Sequence, residues 1–111
     1  MVKATKSRLL AERATTREVE LPNVGTVTVR GLSRGEVREI RLKATKGGKV
    51  DEPLMERLSM QAGLVEPRLT LAEVTKWDKA SPAGETVLVL EAIAEMSGMS
   101  QGADKRGLPS V

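Results

Sequence analysis

The sequence predicts an α+β fold, mostly α, in which an N-terminal β-hairpin is followed by about four short helices in one compact domain. Three observations predict it. Two runs of alternating polar and apolar residues flank a turn near the N-terminus. Downstream, four segments begin with residues typical of helix starts and continue with apolar residues at helical spacing. At 111 residues, the chain is long enough to bury a single hydrophobic core.

The predicted hairpin covers residues 18–30. Its two runs alternate polar and apolar side chains on either side of the turn sequence Pro-Asn-Val-Gly at residues 22–25. A lone hairpin is marginally stable in water, so the helices must cover its apolar face. The side chains of that face, which we expect to line the core, are Val19, Leu21, Val27 and Val29.

The first three helices are placed by their N-terminal caps. Ser33 with Glu36, and Thr70 with Glu73, have the spacing of capping boxes, in which each side chain satisfies a backbone N–H group near the other. Asp51 caps the helix between them. We therefore expect helices over about residues 33–46, 51–65 and 70–79.

The fourth helix is predicted over residues 81–97, with Ser81 as N-cap and Pro82 at the first helical position. Its run TVLVL at residues 86–90 also resembles a buried strand, but it lies within a capped stretch of helical periodicity. Gly98 is placed to end the helix. The face expected to pack on the core is Val87, Leu90, Ile93 and Ala94.

The two ends of the chain differ from the domain between them. We expect residues 1–16 to be a basic, partly mobile segment, residues 17–98 to be the globular domain, and residues 99–111 to be a flexible tail. No stretch approaches 18 consecutive apolar residues, which argues against a membrane span. The basic start lacks the apolar region of a secretory signal, and the chain has no Cys, so we expect a cytoplasmic protein.

Catalysis is not expected. The chain has no His and no Cys, so the commonest general base, thiol nucleophile and metal ligands are missing. Glu91 and Glu95 could form a carboxylate pair, but residues four apart on a helix are more often a solvated face. The glycines match no nucleotide-binding motif. We therefore predict a protein that is not an enzyme and uses no cofactor or metal.

The apolar residues suggest a protein-binding surface. Trp77 is the single aromatic residue, so the core must consist of aliphatic side chains and Met. Met side chains fill cores, but they also suit adaptable binding grooves because they repack easily. A lone Trp on a short amphipathic helix is either a core anchor or an interface hot spot. The candidate interaction residues are Met55, Leu58, Trp77, Ile93, Met96 and Met99.

Charge is distributed unevenly along the chain. Residues 1–49 carry twelve cations and five anions, a net +7, whereas residues 50–100 carry four cations and nine anions, a net −5. This asymmetry favours head-to-tail self-association into rings or helical arrays. The basic residues also permit an alternative, a small DNA-binding regulator. Against it, the first turn of the fourth helix offers no cation to a DNA groove.

Three segments, in this order, resemble the small tail assembly chaperones of long-tailed bacteriophages and prophages. They are VGTVTVRGLSRGEV (24–37), AGLVEPRLTLAEVTKWDKASPAGE (62–85) and LVLEAIAEMSGMS (88–100). The shared features are a hairpin running into a capped helix, a GLVEP-type break, and two further helix starts. The resemblance covers about residues 17–100 and carries no catalytic residues.

The resemblance implies a function in virion morphogenesis. Proteins of this family bind the long, apolar, largely helical tape measure protein, keep it soluble, and help recruit major tail protein subunits. They act in the host cytoplasm and are displaced as the tail tube grows, so they are not expected in the mature virion. A third possibility is a structural head-tail connector, which would remain in the particle.

Overall fold

The computed structural model describes residues 2–11 and 15–99. The chain begins with a short helix, α1 (Lys6–Leu10), which buries none of its residues. The hydroxyl of Thr5 caps this helix by accepting a hydrogen bond from the Arg8 N–H at 3.2 Å. The N-terminal segment, expected to be partly mobile, therefore includes one turn of helix that lies outside the core.

The hairpin predicted for residues 18–30 is confirmed. Strands β1 (Thr16–Leu21) and β2 (Gly25–Arg30) pair antiparallel, with Thr16 opposite Arg30 at the open end. The predicted inward face is also confirmed, because all four of its side chains are buried or packed against the core. They are Val19, Leu21, Val27 and Val29.

Four longer helices begin within two residues of their predicted starts. They are α2 (Arg34–Ala44), α3 (Glu52–Gly63), α4 (Leu71–Ala80) and α5 (Ala83–Met96). Both predicted capping boxes are formed. The Glu36 N–H donates to Ser33 Oγ at 3.1 Å, and the Ser33 N–H donates to Glu36 Oε1 at 2.9 Å. The equivalent bonds between Thr70 and Glu73 measure 3.2 and 2.9 Å. Together with the hairpin, these helices confirm the mixed fold.

Helix α3 ends two residues before its predicted end, because the chain leaves it to complete a sheet. The prediction continued this helix to residue 65, but it ends at Gly63. A small hairpin, β3 (Thr45–Lys46) and β4 (Lys49–Val50), precedes α3, and β5 (Leu64–Glu66) follows it directly. Strand β5 pairs antiparallel with β2, which gives a three-stranded sheet in the order β1-β2-β5. Backbone N–H and C=O groups of β2 that do not bond to β1 thus form hydrogen bonds with β5.

The start of α5 also differs from the prediction. The N-cap is Pro82, and no side chain caps this end. Ser81 instead ends α4, where its hydroxyl donates to the Trp77 carbonyl at 2.7 Å. The Ser81 hydroxyl therefore belongs to the end of α4, and the predicted role of Ser81 as the N-cap of α5 is wrong.

The end of α5 agrees with the prediction. Gly98 has a φ of 76°, and its N–H bonds to the Glu95 carbonyl at 3.1 Å. The Met99 N–H bonds to the Ala94 carbonyl at 2.8 Å, which completes a Schellman motif. The predicted role of Gly98 is confirmed.

The aliphatic core lies between the sheet and helices α2, α3, α4 and α5. Its most deeply buried side chains are Met60, Leu64, Val29, Val74 and Val89. The packing face of α5 is rotated from the predicted one. Thr86, Val89, Ala92 and Ile93 are buried, whereas Val87, expected to face the core, is exposed.

Two further predictions concern the C-terminal tail and membrane-spanning segments. The tail predicted over residues 99–111 lies outside the described residues, apart from Met99. Within residues 2–11 and 15–99, no helix is long and apolar enough to cross a bilayer.

Candidate functional site

An apolar groove of about 510 Å³ opens between the turn end of the hairpin and α4. The hairpin contributes Leu21, Val24 and Val27 to its walls. Leu21 is buried and belongs to the floor, whereas Val24, in the turn, is 64% exposed and stands at the mouth. The Val24 N–H bonds to the Leu21 carbonyl at 3.1 Å, which closes the turn and holds both side chains at one end of the groove.

The chain between α3 and α4 forms a second wall. It contributes Leu64, Pro67 and Leu69. Leu64 lies on β5 and is fully buried, so it continues the floor from the hairpin. Pairing of β5 with β2 is therefore what brings this wall next to the hairpin.

Helix α4 supplies the third wall through Glu73, Lys76, Trp77 and Ala80. Val74, on the same helix, is fully buried and fixes α4 to the core. An ion pair of 3.4 Å between Arg57 and Asp78 links α4 to α3. The wall is thus held by packing on one side and by a polar contact on another.

The indole of Trp77 is oriented by a hydrogen bond. Its Nε1–H donates to Glu85 Oε2 at 2.7 Å, across the link between α4 and α5. With its polar atom satisfied, the half-buried ring presents apolar surface to the groove. Trp77 can therefore contact an apolar ligand without leaving a polar group unpaired.

The polar groups of the groove are of both signs. Glu73 and Lys76 lie on α4, and the remaining eight lining residues are apolar or aromatic. Such a surface favours a ligand with an apolar face and polar edges. The described residues contain no cluster of three carboxylates able to hold a metal ion.

Of the six candidate interaction residues, Trp77 lines the groove and the other five do not. Ile93 is buried in the core, where it packs against Gly63. Met55, Leu58 and Met96 are partly buried against the core, and Met99 is exposed beyond the end of α5.

The hairpin side of the groove was missed by sequence reasoning, which assigned Leu21 and Val27 to the core alone. Both do contact the core, but they also border the groove. One local signal was present. Val24 is an apolar residue in a turn whose other members are Pro, Asn and Gly.

Comparisons of the chain with protein-family models, with curated proteins and with solved structures found no match.

Proposed function

We propose that this protein is a tail assembly chaperone of a long-tailed bacteriophage or prophage, and that its groove holds apolar helical segments of the tape measure protein. The observation that carries the proposal is the apolar groove beside the half-buried indole of Trp77. The order of the three sequence segments supports membership in this family, and the groove supports the proposed mode of binding.

The dimensions and chemistry of the groove suit a helix. Its volume is about 510 Å³, and eight of its ten lining residues are apolar or aromatic. An amphipathic helix presents apolar side chains at positions i, i+3, i+4 and i+7, and a groove can take them as a group. The polar edges of such a helix would meet Glu73 and Lys76.

The groove also suits reversible binding, which a chaperone requires. It is open rather than enclosed, and Val24 at its mouth belongs to a turn rather than to a packed element. A client with repeated apolar stripes would bind several copies of the chain weakly. Incoming tail tube subunits, including the major tail protein, could then displace those copies one at a time.

The decisive experiment is co-expression in the host cytoplasm with the long helical protein encoded beside this chain. We expect the client to be soluble with the wild-type chain and aggregated without it. Val24→Asp should reduce the soluble client about tenfold, because a carboxylate would be buried against the apolar face of the client. Val2→Asp is the matched control, since Val2 is also an exposed valine, at 82%, but lies outside the groove.

Two results would contradict the proposal. If the client is equally soluble without this chain, it needs no chaperone of this kind. If the chain is found in purified virions in stoichiometric amounts, it is a connector rather than an assembly factor. Circular dichroism of Val24→Asp must match that of the wild type for its effect to report on binding.

A further inference from the structure

We propose that the exposed side of α2 and the β3–β4 hairpin together form a docking surface for an acidic helical segment of a partner protein. The surface, which we call the cationic stripe, consists of five basic residues and one leucine. None of them lines the groove, so this second contact does not depend on the client. The residues of the stripe are Arg34, Arg38, Arg41, Leu42, Lys46 and Lys49.

The α2 part of the stripe carries three arginines on one side of the helix. Arg34, Arg38 and Arg41 are four and three positions apart, so they project from the same side, and all three are exposed. Among residues 2–11 and 15–99, no ion pair involves any of them. This side of α2 therefore carries a concentrated positive charge.

The two glutamates of α2 do not balance that charge. The Glu36 carboxylate accepts hydrogen bonds from the Arg30 guanidinium at 3.0 and 2.6 Å. Glu39 lies on the neighbouring side of the helix, four residues before Lys43, a spacing at which opposite charges attract each other. Both carboxylates thus have a cation nearer than the arginines of the stripe.

The β3–β4 hairpin continues the stripe with two lysines that face each other. Lys46 and Lys49 are partners in the strand register, so their side chains leave the same face of the hairpin, and both are exposed. Gly47 and Gly48, with φ of 57° and 79°, form the turn that sets this register. Like charges directly opposite each other destabilise a strand pair. A partner's carboxylate between the two ammonium groups would replace this repulsion with attraction.

An apolar side chain lies within the charged surface. Leu42 is 71% exposed, more than any other large apolar side chain among the described residues 15–99. It follows Arg38 by four positions on the same side of α2, and Lys46 comes four positions later. The phosphates of a nucleic acid offer Leu42 no apolar contact, whereas a protein segment can cover it with an aliphatic side chain. Leu42 therefore favours an acidic protein over a nucleic acid.

The spacing of the arginines matches a helical partner. Arg34, Arg38 and Arg41 advance along α2 by about 6 and 4.5 Å, at 1.5 Å per residue. Glutamates at positions i, i+4 and i+7 of a second helix advance by the same distances, so each carboxylate can meet one guanidinium when the two helices lie side by side. The expected partner is thus a helix with an acidic stripe that contains an apolar residue.

A synthetic peptide of about 20 residues tests the proposal. Its glutamates recur at positions i, i+4 and i+7 on either side of a central leucine, with alanine elsewhere, and its binding is followed by fluorescence anisotropy of an attached dye. We expect a micromolar dissociation constant in about 0.05 M salt that rises about tenfold in about 0.5 M salt, because salt screens exposed charges. A peptide with glutamine in place of the central leucine should bind about fivefold more weakly.

Variants of the chain locate the contact. Replacing both hairpin lysines, Lys46→Gln with Lys49→Gln, should weaken peptide binding about fivefold, because two exposed charge pairs are lost. Lys43→Gln is the matched control, since it removes the same charge from an exposed position of α2 outside the stripe, and it should change binding less than about twofold. Leu42→Ala should weaken binding about fivefold without any change in charge. Val24→Asp, in the groove, should bind the peptide as the wild type does.

A labelled DNA duplex of about 20 base pairs distinguishes a protein partner from a nucleic acid. We expect it to bind more weakly than the peptide at the same salt concentration, and Leu42→Ala should not alter its affinity. Three results would overturn the proposal: tighter binding of the duplex than of the peptide, an equal loss in Lys43→Gln and in the double variant, or unchanged peptide binding in Leu42→Ala. Arg38→Gln repeats the test if any variant loses its circular dichroism.

Discussion

Gly31 occupies a position that only glycine fits. A Cβ atom built there would lie 2.6 Å from the Met96 carbonyl carbon, at the end of α5. Beside this contact, the Leu32 N–H donates to Ser97 Oγ at 2.7 Å, and the same hydroxyl donates to the Ile93 carbonyl at 2.6 Å. The segment before α2 and the end of α5 are thus joined through the Ser97 hydroxyl, and they cannot move apart without breaking its hydrogen bonds.

Replacing Gly31 should therefore destabilise the fold. We expect Gly31→Ala to lower the free energy of unfolding by about 1–3 kcal/mol, the usual cost of overpacking. Gly35→Ala is the matched control, because the nearest atom to its Cβ would be 3.8 Å away, on Ser33. That variant should raise stability by about 0.5–1 kcal/mol, since alanine is the better residue in a helix. Urea denaturation measures both, and equal effects would show that the Met96 contact is not tight.

Glu36 links the hairpin to α2. The Arg30 guanidinium donates to the two carboxylate oxygens of Glu36 at 3.0 and 2.6 Å. This hydrogen-bonded pair lowers the pKa of Glu36 from its ordinary value of 4.5 to about 2. Because the folded-state pKa is the lower one, the pair stabilises the fold above pH 4.5, and this contribution is lost as the pH falls toward 2.

The variant Glu36→Gln should remove this pH dependence while keeping the capping acceptor for the Ser33 N–H. The side chains of Arg30 and Glu36 are 31% and 37% exposed, so we expect a loss of only about 1 kcal/mol near neutral pH. The difference from wild type should shrink as the pH falls below 4.5 and vanish only below about 2. Glu73→Gln, in the other capping box, is the control. A difference that stays constant with pH would mean that the ion pair contributes nothing.

Among the elements, α4 both begins at a capping box and carries residues that line the groove. Its N-terminus is held by the Thr70 hydroxyl, which accepts a hydrogen bond from the Glu73 N–H at 3.2 Å. Its C-terminal half carries Trp77 and Ala80, which line the groove. The cap, seven residues from the indole, therefore helps to fix one wall of the groove.

Thr70→Ala should lower the free energy of unfolding by about 1 kcal/mol, the typical cost of losing an N-cap. It should also weaken binding of an apolar helical peptide, because α4 would fray next to the groove. Thr75→Ala makes the same change inside the helix, where the hydroxyl bonds to the Leu71 carbonyl, and should have little effect. Thermal denaturation and peptide titration separate the two variants, and equal behaviour would contradict the role of the cap.

At the scale of the whole molecule, the hairpin and the helices share one core. Strand β2 pairs with β1 and β5, and α5 packs against both β1 and β2. No element that forms the groove could keep its position if another unfolded. The chain from β1 to α5 should therefore unfold as one unit.

Trp77 allows this to be measured, because it is the single aromatic residue of the chain. We expect urea transitions followed by Trp77 fluorescence and by far-ultraviolet circular dichroism to share one midpoint, with a slope of about 1–3 kcal/mol per molar urea. Fluorescence reports on α4, and circular dichroism reports on all helices. Separate midpoints would show that α4 and the groove unfold independently of the rest.

The elements whose signals are local could be predicted from the sequence. Capping boxes at Ser33 and Thr70 join residues three apart, and the hairpin alternation involves neighbours across a short turn. Gly98 ended α5 for an equally local reason, its positive φ. Such signals arise from residues close in sequence and do not depend on tertiary packing, so the sequence predicts these elements correctly.

The extent of the sheet and the lining of the groove depend on contacts between segments that are distant in sequence. Leu64 could continue a helix as well as a strand, and its place in β5 depends on pairing with Val29, 35 residues earlier. Val87 and Val89 are both valines in the same apolar run of α5. Because α5 packs against β1, β2 and α3, Val89 is buried and Val87 is exposed. Contacts between distant segments set these outcomes, and they brought Val24 to the same groove as Trp77.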